Sequence, residues 1–123
     1  MENEEIILNK LKNVGLKINK TDIQGNLRNV TKFIDPKEEI IYSDKFDIGY
    51  IYILTNKQFL VLSPFSKGKN AYLNGHTYLS EFNDGLLSSK FLVETTGEKT
   101  EFKSGDAISA EAAYKELKRY LNN

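Results

Sequence analysis

The centre of this chain carries two short apolar runs separated by a few polar residues. Tyr50–Leu54 and Phe59–Leu62 are dominated by β-branched, aromatic and other apolar side chains, the kind of residues that strands prefer. Between them, Thr55–Gln58 is short enough for a tight hairpin turn, in which Asn56 would take a positive φ. We therefore expect strands at 50–55 and 58–63, with a first strand at about 38–46.

Shorter strands and turn residues fill the next part of the chain. Ser63–Asn70 is polar and is expected to be a loop, whereas Asn74-Gly75 is a strong hairpin dipeptide. That dipeptide would join a strand at 71–73 to one at 76–82. Turns at 83–85 and 97–98 would flank the last two strands, at 90–95 and 100–103. About seven short strands joined by turns predict an antiparallel sheet that closes into a barrel or folds into a sandwich.

Helical spacing is found before the strands. Apolar residues three and four apart predict a helix at 4–13. A second helix is expected from about Asp22 to Ile34, with Thr21 and Gln24 as its capping box. Asp35-Pro36 should end it, because the residue before proline avoids the helical region.

A last helix is expected after the strands. Asp106 or Ser109 would be its N-cap, and the helix would end near Leu121. Glu111 in the first turn and basic residues in the last would suit the helix dipole. An apolar stripe with tyrosines at its edges would cover one end or face of the sheet: Ala110, Ala113, Leu117 and Leu121, with Tyr114 and Tyr120.

Composition indicates one soluble globular domain. The chain has 123 residues, of which 40% are hydrophobic and 28% charged. Its 17 basic and 17 acidic side chains cancel to a formal net charge of +0, which argues against a general nucleic-acid binder. Cysteine is absent, the amino terminus does not resemble a signal peptide, and no apolar run approaches the ~20 residues of a membrane span. These features predict a cytoplasmic protein without a transmembrane segment.

The residue types that carry catalysis and metal binding are sparse. His76 is the only histidine and is expected to be a solvent-facing strand residue. Two acidic clusters, Glu38-Glu39 and Asp44 with Asp47, are expected to be solvated rather than catalytic. The sequence therefore predicts no catalytic residues, no metal ligands, no cofactor site and no enzymatic activity.

One charge feature leaves two interpretations open. Residues 57–80 contain Lys57, Lys67 and Lys69 and no acidic side chain. These lysines are candidate anion-binding residues on a basic face around the 63–70 loop, or they reflect the ordinary unevenness of charge in a neutral protein. The predicted topology puts Lys57 and that loop at opposite ends of a strand of ~20 Å, so they would not form one patch.

A family resemblance adds to this picture. The segment GYIYILTNKQFLV at 49–61 resembles the strand-LTN-strand hairpin of bacterial pleckstrin-homology-like domains, the YokE-like group. Glu38–Ile41 resembles the start of that family's first strand, and residues 90–102 its last hairpin. The resemblance covers about residues 36–122. It implies a domain at 36–123 with seven antiparallel strands and a C-terminal capping helix, preceded by a helical extension at 1–35.

The resemblance also implies a class of function. It favours a non-enzymatic binding or scaffolding module that recognises a protein or itself. The alternative is a peripheral binder of anionic membrane or nucleic acid through the 63–70 loop. Eukaryotic pleckstrin-homology domains hold phosphoinositides with basic residues around the first hairpin loop, whereas the corresponding Asp44–Gly49 is net acidic. No specific phosphoinositide binding is therefore expected.

Overall fold

Two antiparallel sheets and two helices make up the computed structural model, which describes residues 2–14, 30–63 and 66–122. The fold is α+β. Residues 30–33 are also helical. The elements are α1 (Glu2–Asn13), β1 (Ile40–Asp47), β2 (Tyr50–Thr55), β3 (Gln58–Ser63), β4 (Ser66–Tyr72), β5 (Tyr78–Leu79), β6 (Asn83–Asp84), β7 (Ser89–Thr95), β8 (Glu98–Ser104) and α2 (Ala107–Leu121).

The strands form two four-stranded sheets rather than a closed barrel. The first sheet has the order β1-β2-β3-β4, with each neighbour antiparallel to the next. In the second sheet β7 is central, with β8 on one edge and both β5 and β6 paired to it as well. The predicted bounds of the central hairpin, 50–55 and 58–63, are confirmed. Of the two predicted arrangements, the barrel is not observed.

An aromatic core lies between the two sheets. Tyr52 and Phe59 of the first sheet face Phe91 and Phe102 of the second, and each is at most 1% exposed. Phe59 is at the centre, since its ring lies 4.9 Å from that of Phe102 and 5.9 Å from that of Phe91. Alternating burial in β7 and β8 shows that only one face of the second sheet is covered.

Helix α2 packs against this core at one end of the sheets. Asp106 is its N-cap, because its Oδ1 accepts a hydrogen bond from the Ser109 amide at 3.1 Å. The bonds from Ser109 hold the pKa of Asp106 below its ordinary value. Starting the helix at Ala107 leaves no acidic residue in its first turn, so the expected place of Glu111 there is wrong. Lys118 and the next residue lie in the last turn, as predicted.

The buried face of α2 provides a test of how the helix docks. Leu117 is 0% exposed and belongs to the core cluster between the sheets. Leu117→Ala should lower the free energy of unfolding by ~2–4 kcal/mol, because the cavity cannot fully collapse. Urea denaturation measures this, with exposed Lys118→Ala as the control. A loss below ~0.5 kcal/mol would mean that the helix does not dock as described.

The other face of the first sheet is also covered. Helix α1, predicted at 4–13, and residues 30–34 lie over β2 and β3, so that the side chains on both faces of these two strands are buried. The predicted second helix falls largely outside the described residues, including Thr21 and Gln24. Its described end is helical to Phe33, just before Asp35-Pro36, as expected. The second cluster consists of Ile7, Leu11, Val30, Ile34, Ile40, Ile51, Ile53, Leu60 and Leu62.

A buried polar network joins this amino-terminal layer to the central hairpin. Glu38 is 6% exposed, so the expectation that it is solvated is wrong. Its carboxylate accepts bonds from the Thr55 hydroxyl at 2.8 Å and from Gln58 Nε2 at 3.1 Å. The same Gln58 nitrogen donates to the Phe33 carbonyl at 2.7 Å. Lys10 of α1 donates to the carbonyls of Pro36 and Glu38, so polar bonds fix the layer as well as apolar contacts.

The turn between β2 and β3 differs from the expected primed hairpin. Among the described residues other than glycine, only Thr96 has a positive φ, so Asn56 does not. Instead, the Thr55 hydroxyl oxygen accepts bonds from the amides of Lys57 and Gln58, at 3.0 and 3.1 Å. A hydroxyl that satisfies two turn amides removes the need for a left-handed residue.

Three predictions between β3 and β8 are corrected. The expected loop at 63–70 is wrong, because strand β4 begins at Ser66 and pairs with β3. Asn74-Gly75 does form a turn, in which the Thr77 amide donates to the Asn74 carbonyl at 3.2 Å. That turn, however, connects the two sheets instead of closing a hairpin. The last hairpin turns at Thr96-Gly97, with φ of 48° and 85°, rather than at 97–98.

Candidate functional site

The outer edge of β8 has backbone groups that pair with no other described strand. Thr95 and Glu98 face each other across a two-residue turn, so this pair exchanges both backbone hydrogen bonds. Alternation along the strand then turns the N–H and C=O groups of Lys99, Glu101 and Lys103 away from β7. A separate contact agrees, because Lys69 Nζ donates to the Glu101 carbonyl from outside the sheet at 2.9 Å. Within residues 2–14, 30–63 and 66–122, β8 pairs with no strand other than β7.

The neighbours of this edge come from the first sheet. Lys69 of β4 reaches the middle of β8, and the Ser104 hydroxyl at its end donates to the Phe46 carbonyl of β1 at 2.7 Å. The other side of β7 is paired with β5 and β6, and the Tyr114 hydroxyl of α2 donates to the carbonyl of Ser80, which lies between these two strands, at 2.6 Å. Burial raises the pKa of Tyr114, so this donor keeps its proton at neutral pH. The second sheet therefore has β5 and β6 on one side of β7, next to α2, and β8 as its other edge.

A cleft lies beside the first half of this edge. It has a volume of about 360 Å³ and runs between β4 and the β7–β8 hairpin. The Thr95 hydroxyl bridges its walls by donating to the Tyr72 carbonyl at 2.9 Å. Thr96 at the hairpin turn also faces the cleft, and its positive φ is unfavourable for a β-branched residue. The lining residues are Ala71, Tyr72, Asn74, Val93, Thr95, Thr96, Glu98 and Thr100.

Charges of alternating sign mark the open edge. After Glu98 at the turn, the exposed side chains of β8 are those of Lys99, Glu101 and Lys103. Two copies of β8 pairing antiparallel about Glu101 would place glutamate opposite glutamate, and Lys99 opposite Lys103. Like charges directly opposite each other destabilise a sheet, so this pattern disfavours such self-pairing. It favours an added strand with acidic, basic and acidic side chains at alternate positions.

The predicted anion-binding lysines are spread along the first sheet. Lys57 is exposed in the β2–β3 turn. Lys67 and Lys69 lie in β4, and the Lys69 amine is bonded to the Glu101 carbonyl. Tyr72 faces Gln58 and Lys69 faces Val61, so Lys69 lies ~10 Å along the strands from the turn that holds Lys57. That separation exceeds the ~8 Å Debye length at physiological salt. Anion binding by these lysines stays a prediction.

Gly68, between two of these lysines, has a packing role. A Cβ at this position would lie 2.7 Å from the ring of Phe33 and would also collide with the Leu62 side chain. Glycine therefore permits the close approach of the amino-terminal layer to β4.

The other described residues that could take part in catalysis or metal binding do not form a cluster. His76 is exposed in the turn after Asn74, not in a strand, and its amide donates to Asn74 Oδ1 at 2.7 Å. Among the described residues, no group of three or more His, Cys, Asp or Glu side chains is placed to hold a metal ion. The described helices include none with the length and apolar character needed to cross a membrane.

Sequence reasoning missed the open edge. The strand predicted at 100–103, with Phe102 pointing inward, is confirmed as part of β8. A strand's neighbours, however, depend on the packing of the two sheets and not on its own pattern. Comparison with known proteins adds no assignment: no family model, curated protein or solved structure matches this chain.

Proposed function

We propose that the protein is a cytoplasmic, non-enzymatic interaction module of the pleckstrin-homology-like type. It recognises an extended segment of another protein, which adds as a strand to the outer edge of β8. The observation that carries this proposal is the row of outward backbone groups at Lys99, Glu101 and Lys103. The Glu101 carbonyl would exchange its present bond from Lys69 Nζ for one from the added strand. Main-chain hydrogen bonds would supply affinity, and the side chains along the edge would supply selectivity.

The order of the elements supports the family part of the proposal. Residues 78–84 act as one interrupted strand, because Ser80, between β5 and β6, also bonds to β7. The Ser80 amide donates to the Leu92 carbonyl at 3.0 Å, and the Leu92 amide donates to the Ser80 hydroxyl at 2.8 Å. Counted this way, seven antiparallel strands precede the carboxyl-terminal helix, which is the pleckstrin-homology order.

Peptides of designed charge test strand addition. One peptide would carry Glu, Lys and Glu at alternate positions, with Thr and Val between them. Whichever way the peptide runs, these charges are opposite to those of Lys103, Glu101 and Lys99. Its matched control would carry Lys, Glu and Lys instead. Because each cross-strand pair contributes a few tenths of a kcal/mol, we expect the control to bind ~10-fold more weakly. Calorimetry or fluorescence anisotropy would give the two affinities.

Amide hydrogen exchange identifies the edge that is used. Binding should slow exchange at Lys99, Glu101 and Lys103, whereas Thr100 and Phe102 already bond to β7. Glu101→Pro should abolish binding, since proline removes an outward donor and is tolerated best at sheet edges. If that variant does not fold, the exchange pattern of the unmodified protein decides. Equal affinity for both peptides, or protection elsewhere, would refute strand addition at β8. A dimer protected at these three amides would make a second copy the partner.

A further inference from the structure

The cleft between β4 and the β7–β8 hairpin is the open end of the space between the two sheets. Along the inward face of β8, burial increases from the exposed Glu98 through the half-buried Thr100 to the buried Phe102. The aromatic core therefore fills the second half of this space and stops short of the first half, where the cleft of about 360 Å³ lies. A side chain that enters from outside can occupy the cleft without displacing the core.

The lining of the cleft combines apolar contact with hydrogen-bond acceptors. Ala71 of β4 and Val93 of β7 are its buried apolar members, at 6% and 1% exposed. Thr95, Thr96 and Thr100 contribute hydroxyl groups, and each hydroxyl oxygen has two lone pairs that can accept hydrogen bonds. An occupant with an aliphatic stem and a head rich in donors would complement both parts of this lining.

Glu98 gives the cleft its charge. No lysine, arginine or histidine belongs to the described lining residues, and none of the ion pairs among the described side chains includes Glu98. Lys69 is held further along β8, because its ammonium bonds to the Glu101 carbonyl, and three residues of a strand span ~10 Å. A cation that enters the cleft therefore meets a carboxylate that has no ion-pair partner among the described residues.

The turn at the end of the cleft has an unfavourable conformation. Thr96 has a φ of 48°, which β-branched residues rarely adopt. Strain of this kind persists only where the surrounding structure imposes it, and it is frequent at functional sites. The Thr96 hydroxyl also accepts a bond from Asn74 Nδ2 at 3.4 Å, so the turn holds an acceptor beside the cleft.

A strand added to β8 would direct alternate side chains into this cleft. In β8 itself, Lys99 and Glu101 face outward, whereas Glu98 and Thr100 lie on the inward face. A partner residue opposite Thr100 would also face inward, because opposite residues of neighbouring strands point to the same face of a sheet. Glu98 would be its diagonal neighbour, ~7–8 Å away and within reach of a long side chain.

We infer that the cleft receives an arginine side chain from the added strand, at the position opposite Thr100; this inference rests on the proposed function. The aliphatic stem of the arginine would pack on Ala71 and Val93. Its guanidinium would donate to the Glu98 carboxylate and to the threonine hydroxyls. Arginine suits the cleft better than lysine does, because its five N–H donors form a rigid fork that can reach several acceptors at once.

Peptides with arginine at one of two positions test this inference. In the peptide that carries Glu, Lys and Glu, arginine would replace either the residue before the lysine or the residue after it. An antiparallel strand places the later position opposite Thr100, and a parallel strand places the earlier one there, so only one of the two peptides should gain affinity. That peptide should bind ~5-fold more tightly than a copy with citrulline, the neutral isostere of arginine. Added salt should narrow the difference, because water screens a partly exposed ion pair.

Two carboxylate variants locate the arginine. Glu98→Gln should reduce the difference between the arginine and citrulline peptides to less than ~1.5-fold. Glu94→Gln is the matched control, because Glu94 belongs to the same hairpin but lies on the outer face, opposite Lys99. In that variant the difference should stay at ~5-fold.

The outcomes separate this inference from strand addition itself. The arginine assignment is overturned if neither arginine peptide gains, if the difference survives Glu98→Gln, or if Glu94→Gln removes it equally. Slowed amide exchange at Lys99, Glu101 and Lys103 would in each of these cases leave strand addition at β8 intact. Without that protection, both the strand addition and the arginine cleft would be refuted.

Discussion

Replacing Phe59 by alanine is expected to lower the free energy of unfolding by ~3–5 kcal/mol. Phe59 is 0% exposed and lies on the face of β3 that meets the second sheet. Its ring is 6.4 Å from that of Phe46 and 5.6 Å from that of Tyr52, in addition to Phe91 and Phe102. Removing the ring opens a cavity that rigid strands on both sides cannot fill. Urea denaturation followed by circular dichroism would measure the loss.

A matched substitution separates ring packing from simple apolar volume. Phe59→Leu keeps most of the buried volume but loses the edge-on and stacked contacts of the aromatic ring. We expect this variant to lose ~1–2 kcal/mol, clearly less than the alanine variant. Equal losses for the two variants, or a loss below ~1 kcal/mol for alanine, would show that Phe59 is not the centre of a tight core.

The bounds of β2 and β3 were predictable because apolar runs and turn residues alternate sharply there. The same runs also carried information that strand propensity does not use. Buried residues are continuous from Ile51 to Thr55 and from Gln58 to Ser63. A sheet with one solvent-exposed face would instead show buried and exposed residues in alternation. Continuous burial indicates that both faces are covered, and in this fold α1 and residues 30–34 cover the second one. The continuous apolar runs of the hairpin therefore already indicated that another element, here α1, covers its second face.

Strand β4 and Glu38 were mispredicted for a common reason. Polar residues normally indicate loops or solvent, but here tertiary contacts satisfy them. Asn70 of β4 donates to Gln58 Oε1 at 2.9 Å, and Glu38 accepts from Gln58 in turn. Gln58 is 0% exposed and connects β4, the hairpin and the amino-terminal layer. A network of this kind is recognisable only once its members are close in space.

The open edge of β8 depends on how the two sheets pack, which no local pattern encodes. Candidate sites of this type are therefore set by tertiary arrangement.

Ile7→Asp is expected to lower the free energy of unfolding by ~4 kcal/mol. Ile7 is 0% exposed in α1 and packs with Ile53, Leu60 and Leu62 on the outer face of the first sheet. An aspartate there must lose its hydration without a partner, or α1 must leave the sheet and expose that apolar face. The two responses are distinguishable, because an undocked helix would become sensitive to protease while the aromatic core stayed folded.

Ile6→Asp is the matched control for this prediction. Ile6 is the preceding residue of the same helix and is 38% exposed, so an aspartate there can remain hydrated. We expect a loss below ~1 kcal/mol, mainly from lower helix propensity. The ratio of the two losses therefore measures how firmly α1 covers β2 and β3. Similar small losses at both positions would mean that the helix is not part of the folded core and that residues 30–34 alone protect this face of the sheet.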